Sequence, residues 1–127
     1  HRLPVLAVTA AHLPQVMAHV RGYGRPTVLR AYGNWMTPQL TPWKKLMQQH
    51  GIQPCQVFQH IKGKNASDIA MVMDMMQLLH ARAVDGFCLM SSDGDFSGPA
   101  VRVREADLRV YGFGRRETVL VARKVAT

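Results

Sequence analysis

Asp93 and Asp95 stand one residue apart in Ser91-Ser92-Asp93-Gly94-Asp95, directly after the apolar run Gly86–Met90. Two carboxylates held that close repel each other, and a bound cation relieves the repulsion. Hard divalent ions such as Mg²⁺ or Mn²⁺ favour oxygen donors of this kind. Gly94 lets the backbone turn tightly, and Ser91 and Ser92 add hydroxyls. A plainer reading stands beside this one: Asp95 caps a helix opening at Phe96, and Asp93 is a solvated turn residue. Asp68 adds to the cation reading. It follows the basic loop Lys62-Gly63-Lys64-Asn65 and opens a long helical pattern, where it also compensates the helix dipole. Asp74 lies six residues on, about 240° round such a helix, off the face of Asp68. It groups with Ala70 and Gln77 on the least apolar strip, and taken alone it reads as a solvated residue.

Other chemistries fit less well. A helix–loop–helix calcium site matches Asp93, Asp95, Ser97 and Gly98, but Arg104 stands where a bidentate Glu is required. A haloacid-dehalogenase-type phosphatase needs its Asp directly after the strand, and two serines intervene here. His50, Cys55 and His60 match no zinc spacing. Trp35 and Trp43 lie beside Lys44 and Lys45, a combination that can stack the bases of single-stranded RNA. Core packing or a dimer contact explains the same two tryptophans, and a homodimer stays open. The methionines, Met71, Met73, Met75, Met76 and Met90 among them, read as adaptable core filling.

The elements that must position these residues alternate between strand and helix. Pro4–Thr9, Thr27–Tyr32, Ile52–Phe58, Gly86–Met90 and Leu108–Phe113 read as strands, several of them continuous apolar runs. Helices are expected over Leu13–Tyr23, from Thr41-Pro42 to His50, over Ala66–Ala81 and over Phe96–Glu105. The third is apolar nearly all round. Thr41 is the expected cap of the second helix, and Gly51 its stop. Glu117–Thr127 reads as a closing helix or a fraying end. This alternation is the pattern of an α/β domain with a mainly parallel sheet covered on both faces. Ligands of such sheets sit outside the strand carboxyl ends, where strand order reverses. Ser91–Asp95 and the start of the Asp68 helix both fall on that edge.

The chain has 127 residues, the size of one domain, and 47% of them are hydrophobic, as in ordinary globular proteins. No stretch approaches the roughly 20 apolar residues of a membrane helix, and no signal peptide is visible. The chain opens at His1 without Met, which fits a piece of a longer protein. Cys55 and Cys88 read as buried thiols rather than a disulfide, which suits a reducing cytoplasm. The formal charge is +8, from 16 basic and 8 acidic residues. All 8 acids lie at or after Asp68, so the excess sits wholly in the first half, which holds 8 basic residues (Arg2, Arg21, Arg25, Arg30, Lys44, Lys45, Lys62, Lys64). Such asymmetry suggests a polyanionic partner, most simply nucleic acid. A basic protein with no specific partner is the alternative.

The string Lys62-Gly-Lys-Asn-Ala-Ser-Asp68, then Asp74, then Ser91-Ser92-Asp-Gly-Asp95-Phe96, resembles the NYN domain family, also called LabA-like or DUF88. Tyr32-Gly33-Asn34-Trp35, Gly86-Phe87-Cys88-Leu89 and Val110-Tyr111-Gly112-Phe113-Gly114 are similar to the same family. The resemblance spans roughly Pro4 to Gly114. It implies one PIN-like three-layer sandwich over residues 1–127, with about five strands and helices on both faces. It further implies a Mg²⁺- or Mn²⁺-dependent ribonuclease acting on single-stranded RNA. Asp68, Asp93 and Asp95 match the catalytic, metal-holding acids, and Asp74 matches another recurrent acid expected at the metal. Lys62, Lys64, Asn65, Ser91, Ser92, Arg30, Lys44 and Lys45 would then hold substrate.

The sequence departs from that pattern at its first strand. The family usually ends this strand in Asp-x-(Asp/Glu)-Asn, whereas Val8-Thr9-Ala10-Ala11-His12 carries no carboxylate. Asn34 and Gly94 stand where Asp and Ser are common. A metal held by three carboxylates instead of four is bound more weakly, and much of the rate should go with it. His12 could serve as a substitute ligand or base, although a lone His near a turn reads first as polar surface. A degenerate RNA- or protein-binding module of the same fold is the alternative function. An interaction domain whose basic half meets another anionic surface is the third.

Overall fold

The central strands are buried because they run through the middle of the molecule. β1 (Arg2–Ala7) is buried at every residue after Arg2, as expected of a strand covered on both faces. Around it, the computed structural model describes residues 2–8, 13–58, 66–81, 84–91, 103, 105–116 and 119–126. The order continues with α1 (Leu13–Tyr23), β2 (Arg25–Gly33), a 3-10 turn at Pro38–Leu40, α2 (Thr41–His50) and β3 (Gln53–Gln56). It ends with α3 (Ala66–His80), β4 (Gly86–Ser91), β5 (Arg109–Arg116) and β6 (Val119–Ala126).

The sheet order is β3-β2-β1-β4-β5-β6. The first five strands are parallel, and β6 lies antiparallel on β5. The chain moves outward from β1 to β3, then crosses back to β4 on the other side of β1. Strand order therefore reverses between β1 and β4, the position where open α/β sheets bind ligands.

Side-chain alternation along each strand feeds two core layers. On one face Leu3, Val5, Cys88 and Phe113 pack with Val16 and Val20 of α1. Met17 of α1 and Met47 of α2 extend that layer over Ala31 and Ile52. On the other face Leu6, Tyr32, Phe87, Leu89 and Val110 pack with Met71 and Met75 of α3. This is the three-layer α/β sandwich that the sequence periodicity predicts. Cys55 packs on the α3 face and Cys88 on the α1 face, in strands separated by β2 and β1. Both are free thiols, out of disulfide reach.

Three local expectations are corrected. Glu117–Thr127 is neither helix nor frayed end over its described part, because Val119–Ala126 pairs with β5 from Arg116↔Val119 to Val110↔Ala126. Thr41 is already helical, and Leu40 takes the cap position without a side-chain bond, because the 3-10 turn leads directly into α2. Gly51 does end α2 in the left-handed conformation, φ 68°, with its N–H donating to the Gln48 and Met47 carbonyls. The solvent-facing strip of α3 is Ile69, Met73, Gln77 and His80 rather than Ala70, Asp74 and Gln77. The helix expected over Phe96–Glu105 falls largely outside the described residues, although Val103 is fully buried in the core beneath α3.

Candidate functional site

The site grows from the end of β1. Ala7 pairs with Met90 of β4, and the Val8 N–H donates to the Met90 carbonyl at 2.9 Å. β4 ends one residue later, at Ser91. Asp93 and Asp95 follow by two and four residues, and with Ser92, Lys62, Lys64, Asn65 and His12 they lie outside the described residues.

Asp68 is described and half-buried, in the first turn of α3. Its neighbour Ser67 borders a cleft of about 360 Å³ whose other walls include Val8, Ala31, Gly33, Asn34 and Leu40. The first turn of α3 therefore lies against the carboxyl ends of β1 and β2. β4 leaves the sheet on the other side of that same β1 end. Val8 packs into the α3-side core and carries no carboxylate where the strand exits.

Asp74 has partners that the sequence does not reveal. Its Oδ2 accepts the Tyr32 hydroxyl at 2.5 Å and an Arg30 Nη1 bond at 3.2 Å. It is thus no solvated residue: its side chain is 29% exposed and ties α3 to β2. Six residues of helical rise put it about 9 Å along the axis from Asp68, below the strand ends. Arg30 and Asp74, expected in separate roles, face each other. Burial and the Asp74 carboxylate push the Tyr32 phenol far above its usual range. Burial likewise raises the Cys55 thiol, and it pushes Cys88 up to about 12. Both thiols are poor nucleophiles as a result.

Trp35 is a buried anchor, 8% exposed, whose Nε1 donates to the Ala31 and Cys55 carbonyls. Trp43 packs against the same cluster. Both serve the core, as the plainer reading has it. Lys44 and Lys45 are exposed on α2. Among the described residues no three His, Cys, Asp or Glu side chains gather as a metal would require. The donor set named for a metal is made of carboxylates, which suits a hard divalent ion.

A mainly parallel sheet that reverses between β1 and β4 and is covered on both faces by helices is consistent with a PIN-like sandwich. The family model of the NYN domain matches residues 5–127. The chain belongs to the NYN domain family. No curated protein and no solved structure matches it at a significant level. Among the described residues no helix is long and apolar enough to cross a membrane.

Proposed function

We propose that the domain is a divalent-metal-dependent ribonuclease acting on single-stranded RNA in the cytoplasm, with Asp68, Asp93 and Asp95 holding Mg²⁺ or Mn²⁺. The register at β1 supports this most: the first turn of α3 borders one side of its end, and β4 runs out towards Asp93 on the other. A divalent ion held there supplies an activated water and offsets charge on the scissile phosphate. The chain's own part is to bind and align the strand. Lys62, Lys64, Lys44 and Lys45 attract phosphates, and Asn65, Ser91 and Ser92 offer short hydrogen-bonding groups. Arg30 adds little to this attraction, since its guanidinium is committed to Asp74, whose carboxylate offsets its charge. Asp74 acts as the brace that fixes α3, and with it Asp68, on the sheet.

The end of β1 lacks an acid, and no acid precedes Asp68. That favours a second reading, a domain of the same fold that grips RNA and cleaves it slowly or not at all. Labelled single-stranded RNA incubated with the protein and Mn²⁺ separates the two. Cleavage is expected, and Asp93→Asn should reduce it by at least about tenfold, a loss already usual for groups one shell out from a metal. Equal cleavage by both proteins removes the nuclease reading. Salt-dependent binding without cleavage leaves the second.

A further inference from the structure

We infer that Met36, Phe58 and Ile69 form an apolar rim around the cleft above β1 and β2, on which unpaired bases of RNA stack, with Phe58 as the stacking ring. The inference rests on the RNA reading above and adds to it the surface that grips the bases. Among the described residues five large apolar side chains are exposed, and these three stand on segments bordering that one cleft. Met36, 74% exposed, sits between Trp35 and Thr37, both in the cleft wall. Ile69, 58% exposed, follows the wall residue Ser67 by two. Phe58, 57% exposed, follows Val57, whose N–H donates to the carbonyl of the wall residue Gly33 at 2.9 Å. Apolar side chains exposed singly need no explanation, whereas several gathered at one cleft mark a binding surface.

Hydrogen bonds hold two parts of this rim in place. The Met36 N–H donates to Asn34 Oδ1 at 3.2 Å, and Gln56 Nε2 donates to the same oxygen at 2.9 Å and to the Val57 carbonyl at 3.4 Å. The Trp35 N–H donates to Gln56 Oε1 at 3.0 Å. One pair of amides thus ties the backbone at Met36 to the backbone just before Phe58, which lowers the ordering cost of binding there. The charge nearby selects the occupant. Residues 33–58 carry Lys44 and Lys45 and no acid, and both lysines are exposed in α2, which follows Leu40 of the cleft wall. Apolar faces beside cations match a single strand, which presents bases and phosphates together. A duplex hides its base faces and fits such a rim less well. Trp35 and Trp43 are committed to the core, which leaves Phe58 as the exposed aromatic ring of residues 33–58. Stacking uses the π-face that every base has, so the rim is tolerant of sequence.

Binding of oligoadenylate, measured by fluorescence anisotropy in EDTA, tests this without cleavage. Phe58→Ala should weaken binding by about tenfold, within the range for loss of one stacked base. Its salt dependence should match that of the wild type, because the phosphate contacts remain. A sugar-phosphate strand of equal length without bases should bind both proteins equally. Phe58→Trp should keep the wild-type affinity, and its added indole should be quenched by the strand. Oligoadenylate binding that Phe58→Ala leaves unchanged, or a wild type that holds the baseless strand as tightly, overturns the rim alone. Self-association that Phe58→Ala abolishes while RNA binding stays intact also overturns it, by giving the surface to a second copy of the chain. No binding of either strand overturns the RNA reading and the rim with it. The predicted loss in Phe58→Ala, in a protein that does not cleave with Mn²⁺, upholds the rim and removes only the nuclease reading.

Discussion

Asp74 shows what single residues do in this fold. Its carboxylate meets Tyr32 and Arg30, partners 42 and 44 positions away along the chain. Helical periodicity placed it on a polar strip, because periodicity sees only neighbours on the same helix. The contact depends on how α3 lies across β2, which no local pattern encodes. Asp68 was legible in the sequence, since a first-turn acid after a basic loop has a clear position on the strand-end edge. The Tyr32–Asp74 bond has a pH signature. The phenol is raised above its unfolded value of about 10, so its contribution is fully present below that pH and is lost as pH rises beyond it. Tyr32→Phe should cost about 1.5–3 kcal/mol at neutral pH, the range for bonds to charged groups. It should also flatten the loss of stability between about pH 9 and 11. Urea unfolding across that range checks this, and parallel wild-type and variant curves would contradict it.

At the scale of elements, strands that are continuous apolar runs and the Gly51 stop were readable because their signals are local. β6 was not. Val119-Leu120-Val121 followed by Arg123-Lys124 suits a short helix turn as well as a strand, and its pairing with β5 decides the matter. The α2 cap was missed for a related reason: a 3-10 turn ahead of Thr41 moves the cap one residue back. Gly86 carries a constraint that spacing alone does not show. A Cβ there would lie 2.6 Å from the Arg109 carbonyl oxygen and 3.0 Å from a Leu3 methyl. Backbone on the neighbouring strand cannot give way cheaply, so Gly86→Ala should destabilise by about 1–3 kcal/mol despite the smaller unfolded-state entropy of Ala. An unchanged urea midpoint would show that β4 and β5 are less closely held at this edge.

Over the whole molecule, the decisive feature is where strand order reverses. Five parallel strands with β1 and β4 at the centre set one crevice, and β4 ends at that edge two residues before Asp93 in the sequence. The alternation of elements made the sandwich legible from sequence. The brace between α3 and β2 and the fixed amides above β2 were not legible, because both are built from residues that meet only after folding. The central claim is that Asp68 and the Asp93–Asp95 turn form one cation site although separated by the length of α3 and β4. Mn²⁺ titration followed by electron paramagnetic resonance, on the wild type and on Asp68→Asn and Asp93→Asn separately, tests this most directly. A single site weakened by either substitution is the predicted result. Mn²⁺ affinity that survives both, or that responds to Asp93→Asn and ignores Asp68→Asn, would contradict it.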